Sequence, residues 1–91
     1  MIRVHISGHL KDYTHGTREC QLKDSKDVLS LVGELNHMFP GIKDRILDEQ
    51  ERMREYVNVF VNGENSRDLQ SEGTRLKNGD IVHILPSVAG G

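Results

Sequence analysis

Tryptophan is absent from this chain and the other aromatics are only two Tyr and two Phe, so any core has to be aliphatic. Cysteine occurs once, at Cys20, which excludes an internal disulfide and leaves no Cys-x-x-Cys pair for zinc or redox chemistry. No apolar run approaches the roughly 20 residues of a membrane span. The N-terminal MIRVHISG lacks the basic segment and apolar stretch of a secretory signal, so a cytoplasmic location is the expectation. Neither sign of charge dominates: twelve Lys plus Arg stand against fourteen Asp plus Glu, for a net charge of -2. That balance argues against nucleic acid or an anionic membrane as main partner, because both are bound through clustered Lys and Arg. Missing too are G-x-x-x-x-G-K-[ST] and G-x-G-x-x-G, so any ATP involved is expected to belong to a partner.

What is present fits one small domain. Hydrophobic residues make up 35% of the 91 residues, which permits only a thin core. A domain this short buries about 60% of its unfolded surface and has little room to enclose a cofactor, so none is expected to be bound. Ile2 to Ser7 alternates apolar and polar residues with the period of a strand, and Gly8 to Gly16 reads as a polar loop. Arg18 to Lys23 is a second strand, close enough in sequence to form a hairpin with the first. Val28, Leu31, Val32, Leu35 and Phe39 then recur at helical spacing, after Asp24 and Ser25 as N-cap candidates and before Pro40 and Gly41. Gly33 falls away from that stripe.

Ile42 to Leu47 adds a turn or two of helix, and Asp48 to Glu55, with both signs of charge and almost nothing to bury, reads as a solvated connection. In Tyr56 to Val61 the three valines 57, 59 and 61 share one parity, and Asn62-Gly63 signals a tight turn. Asn78-Gly79-Asp80 marks another turn before a last strand, Ile81 to Leu85, which Pro86 should end. Two strands, a helix and two strands predict an α+β domain over residues 1–85, a four-stranded mixed sheet with one main helix on one face, and a flexible tail over residues 86–91.

Candidate chemical residues are few. Five histidines, at positions 5, 9, 15, 37 and 83, include no His-x-x-x-His pair. His5 and His83 take the outward parity of their strands and become neighbours if those strands pair, yet further ligands are not identifiable, so no metal site is expected. Cys20 reads as a small core residue rather than a nucleophile. What remains is Gly90-Gly91. Terminal glycines make no cap or turn, so they read either as a frayed end or as a segment threaded through a channel that excludes a Cβ, delivering the terminal carboxylate to a reactive centre. Composition does not choose between the two.

The ending Ile81-Val82-His83-Ile84-Leu85-Pro86-Ser87-Val88-Ala89-Gly90-Gly91, behind Asn78-Gly79-Asp80, resembles the terminus of the ubiquitin-like sulfur carriers. These include the molybdopterin synthase small subunit, the thiamine sulfur carrier and the bacterial cysteine-synthesis carriers. The likeness extends through Tyr56-Val57-Asn58-Val59-Phe60-Val61-Asn62 with Arg67, and through Phe39-Pro40-Gly41-Ile42. The Leu-Pro-x-Val-Ala-Gly-Gly ending is most similar to the cysteine-synthesis group. Ser87 and Ala89 depart from the ending usual in molybdopterin synthase subunits.

The resemblance implies a ubiquitin-like β-grasp and a carrier without turnover of its own. In that family pattern Gly91, behind Gly90, is adenylated by a ubiquitin-activating-type enzyme that uses ATP, and a sulfurtransferase or sulfide source converts it to a thiocarboxylate. A biosynthetic enzyme then accepts the sulfur. In the cysteine branch the acceptor is an activated serine on a pyridoxal-phosphate enzyme, and a metal-dependent protease releases the product; those cofactors belong to the partners. The alternatives are a small subunit of molybdopterin synthase and a protein modifier forming isopeptide bonds. Strand parity sends Tyr56, Phe60, Ile81, His83 and Leu85 to the sheet face that no helix covers, and these residues, with Pro86, Val88 and Ala89, are the expected partner-binding surface.

Overall fold

The computed structural model describes residues 1–23 and 25–86. The N-terminal alternation forms β1 (Ile2–Ile6), with Ile2, Val4 and Ile6 buried. The returning strand β2 (Glu19–Leu22) pairs antiparallel with it, placing Cys20 opposite Val4 and Glu19 opposite His5. The stretch between them is not the plain polar loop expected. Gly8–Tyr13 is a 3-10 helix that buries Leu10, and the buried Thr14 closes it by donating its hydroxyl to the carbonyls of Lys11 and Thr17, at 3.1 and 2.8 Å. One apolar residue in a polar run has no periodicity to betray it.

Helix α1 (Val28–Met38) buries Val28, Leu31, Val32 and Leu35, the expected stripe. Its N-cap is Asp27, in place of Asp24 or Ser25: the Asp27 carboxylate accepts the Ser30 N–H at 2.8 Å, the geometry that satisfies an orphan donor of the first turn. Asp24 lies outside the described residues. At Gly33 an added Cβ would meet nothing within 4 Å, consistent with a place off the buried stripe. Beyond the helix, α2 (Lys43–Ile46) contributes Ile46 to a core that also takes in Ile42 and Leu47.

The connection that follows is less solvated than its charge suggested. Met53 is buried and bridges to Leu47, and its N–H donates to the Glu72 carboxylate at 3.0 Å. The Arg67 guanidinium donates to the carbonyls of Arg54 and Val57, at 2.6 and 2.7 Å, and so ties the end of the connection to the start of the next strand. The Arg54 carbonyl also accepts the Val57 N–H at 3.0 Å, so the charged side chain reinforces a backbone turn with charge-assisted bonds.

Strand β3 (Val57–Val61) buries its three valines. Asn62 and Gly63, at φ 52° and 88°, turn the chain into β4 (Glu64–Asn65), which pairs antiparallel with β3. The sheet therefore has five strands where four were expected; two residues are too few to show a period-2 pattern. The last strand, β5 (Ile81–Pro86), lies parallel to β1 and antiparallel to β3, giving the order β2-β1-β5-β3-β4. It runs one residue past Leu85, with Pro86 opposite Val57, as a strand can when the proline is its terminal member. The buried Asp80 accepts from Asn62 Nδ2 and the Lys77 N–H, both at 2.9 Å, while Asn62 Oδ1 accepts the Ile81 N–H at 2.9 Å. Those bonds lock the β3–β4 turn to the entry of β5. A mixed sheet with α1 over one face, and Leu35 and Val59 both fully buried in the shared core, is a ubiquitin-like β-grasp.

Candidate functional site: the open sheet face and the root of the tail

Because β1 and β5 are central and parallel, residues that lie far apart in sequence form one row across the open face. Glu19, His5, His83, Phe60 and Asn65 are successive cross-strand partners over all five strands. Beside them Arg3 pairs with Ile81, and Leu85 with Asn58. Ile81 is 44% exposed, and Phe60, His83, Leu85 and Pro86 are half-buried. Parity thus places Phe60, Ile81, His83 and Leu85 together as the sequence implied. Tyr56 differs: it sits in the turn before β3, where strand parity does not operate, and its half-buried ring packs against the core.

The end of β5 is held at the junction after β1. The Ser7 N–H donates to the Ile84 carbonyl at 3.2 Å. Gly8, at φ +67°, lies so close to Pro86 that a Cβ would stand 2.8 Å from the proline Cγ, so both its backbone conformation and the contact call for glycine. Pro86 is the last described residue of the tail; Val88, Ala89, Gly90 and Gly91 lie outside the described residues, as does Ser87.

The polar groups of the face are mutually engaged. The His5 and His83 rings are 5.5 Å apart, centre to centre. His83 Nε2 is 2.9 Å from Ser7 Oγ, and His5 Nε2 is 3.4 Å from Glu19 Oε1, while Glu19 Oε2 lies 3.8 Å from Arg3 Nε. Partial burial, and then the neighbouring His5, hold the His83 pKa below its ordinary value. At Cys20, burial and then the Glu19 charge push the thiol pKa up, which disfavours the thiolate a nucleophile needs. Among the described residues no three His, Cys, Asp or Glu side chains gather as metal ligands would. The open face thus sets half-buried apolar side chains, Phe60 and Leu85, and the exposed Ile81 beside a polar row, next to Pro86. Sequence reading missed Glu19, Arg3 and Asn65 as members of it. The outward parity of Arg3 was visible, but the register of β2 and the existence of β4 were not.

A family model described as the ThiS family matches residues 4–91. The sulfur carrier protein CysO of Mycobacterium tuberculosis is 32% identical over 93 aligned residues, covering 99% of this chain and 98% of that protein. The crystal structure of the Amycolatopsis orientalis BexX/CysO complex contains a chain that superposes with a TM-score of 0.91 at 33% identity, with full coverage of both chains. The molybdopterin synthase sulfur carrier subunit of Emericella nidulans is 31% identical over 98% of this chain and 96% of its own length.

Proposed function

From the premise that the chain belongs to the ThiS family, we propose that it is a sulfur carrier whose Gly91 carboxylate is the site of chemistry. The observation that carries this reading is the likeness to a named sulfur carrier over almost the whole of both chains. A carboxylate resists nucleophiles because it is anionic and its oxygen leaves poorly. An activating partner removes both obstacles: a carboxylate oxygen attacks the α-phosphorus of ATP, pyrophosphate leaves, and an acyl adenylate forms. Hydrosulfide, or a sulfurtransferase persulfide followed by thiol cleavage of the acyl disulfide, then displaces AMP and leaves a thiocarboxylate. A biosynthetic enzyme takes the sulfur and returns Gly91 as a carboxylate.

On this reading the protein is a co-substrate in the cytoplasm, and ATP, the sulfur donor and any pyridoxal phosphate or protease metal belong to its partners. Phe60, Ile81, His83, Leu85 and Pro86 form the docking surface that presents the tail, Val88 and Ala89 enter the partner's channel, and Gly90 lets the carboxylate reach the reactive centre. The domain ends at residue 85 or 86 and the tail begins there. The acceptor is the cysteine-synthesis type, in line with the CysO likeness. The likeness to the molybdopterin synthase carrier subunit supports a second reading, in which the tail inserts into a larger synthase subunit. Intact-mass spectrometry after incubation with an adenylating enzyme of the same pathway, ATP and a sulfur source is the test. One oxygen should be replaced by sulfur in the full chain and not in a chain lacking Gly90 and Gly91; replacement in both would refute the assignment.

A further inference from the structure

Beside the His5–His83 pair, and just before Pro86, lies an open cavity of about 370 Å³ whose lining includes His5, Ser7, Gly8, Lys11, Arg18 and His83. Two of these side chains are permanent cations, two are imidazoles, one is a hydroxyl, and none of the residues lining the cavity is a carboxylate. The concentration is unusual for a chain with a net charge of -2. It arises because β1, its following 3-10 helix, the entry to β2 and the far end of the chain in β5 converge there.

Lys11 and Arg18 form no ion pair among the described residues, whereas Arg3, His5 and Lys43 all face a glutamate. We propose that this cavity is a binding site for a phosphate-class oxyanion, a doubly charged tetrahedral ion or phosphomonoester, held by Lys11 and Arg18 with Ser7 and the two imidazoles as further donors. A fork of guanidinium donors and a compact ammonium are the side chains that recognise such an ion, and an adjacent hydroxyl and ring N–H complete a tetrahedral set. The charged groups around the histidines are Arg3 on β1, Arg18 and Glu19 at β2 and Lys11 on the 3-10 helix; β3 offers only Phe60. Glu19 is the one opposing charge, and it is turned to Arg3 and His5 at 3.8 and 3.4 Å. A bound dianion would favour the imidazolium forms, so binding should tighten as pH falls.

The test is a titration of the full chain followed by backbone and histidine-ring NMR at constant ionic strength. Sulfate, whose charge does not change over the range, is the probe for the pH arm. Phosphate and AMP distinguish a free ion from a phosphomonoester, and acetate and chloride are the controls. Sulfate should give saturable shifts confined to His5, Ser7, Lys11, Arg18 and His83, at least about threefold tighter near pH 6 than near pH 8. A Lys11→Gln/Arg18→Gln double variant should bind about tenfold more weakly while keeping the rest of its spectrum. Tighter binding of AMP than of phosphate assigns the site to a phosphomonoester, the reverse assigns it to the free ion, and either supports the proposal. Shifts that fail to saturate, that acetate reproduces at the same concentrations, or that survive the double variant would overturn it. None of these outcomes depends on thiocarboxylate formation.

Discussion

Val82 and Ile84 point from β5 toward α1 and are fully buried, whereas Ile81, His83 and Leu85, on the same six-residue strand, point the other way and keep part of their surface in water. The same division runs through β1, where Ile2, Val4 and Ile6 lie under the helix and Arg3 and His5 stand on the open side. The inner face is aliphatic along β1, β3 and β5, and β2 adds Leu22 and the half-buried Cys20. Each fully buried aliphatic side chain there supplies about 1.5–3 kcal/mol of burial. The outer face contributes little of that kind: its Arg3–Glu19 pair is about half exposed on both sides, in the class of surface ion pairs that contribute between nothing and about 1 kcal/mol. One face fixes the fold, and the other carries little of that constraint.

The largest effect should come from the tail that the open face leads into. Removing Gly90 and Gly91 should abolish thiocarboxylate formation entirely while leaving the melting temperature within experimental error; a large drop in melting temperature would mean that the tail belongs with the inner face. Next in size is the inner face itself. Leu35→Ala, which empties a fully buried position under the sheet, should cost about 2–5 kcal/mol in chemical denaturation, a large share of a small domain's stability.

Phe60→Ala sits between the two regimes. It should leave the fold intact and reduce the efficiency of adenylation about tenfold, mainly through weaker binding to the activating enzyme, as removal of a docking aromatic does. Unchanged steady-state adenylation in the folded variant would take the open face out of recognition. The smallest effect is electrostatic. The His83 pKa is lowered by burial and by His5, so between that lowered value and the ordinary value of about 6.5 the unfolded chain binds more protons than the folded one. The stability contribution is therefore full above about pH 6.5 and is lost as pH falls through the lowered value. His83→Gln should accordingly lose less melting temperature than the wild type between about pH 7.5 and about pH 5.5. Equal losses would show that the row on the open face does not couple to folding.

Much of this division could be read in advance from spacing alone. The valines at 57, 59 and 61, the alternation of Ile2, Val4 and Ile6, and the helical recurrence of Val28, Leu31, Val32 and Leu35 each declare a buried face, because the apolar period equals the backbone period. Parity also told that Phe60, Ile81, His83 and Leu85 share a side. The family likeness rested on an ending and a strand that are both contiguous in the chain. Tertiary structure alone decided what depends on register and on isolated residues. Met53 and Leu10 are single apolar side chains in polar stretches, and only a neighbouring element makes them core. The pairing of His5 with His83 needed the first and last strands to be parallel neighbours, and the convergence of Lys11 and Arg18 on that pair needed the 3-10 helix and the start of β2 to fold back over it. A sequence records the period of each element because that is set by the backbone; it does not record which elements end up side by side, because that is set by the burial of all of them at once.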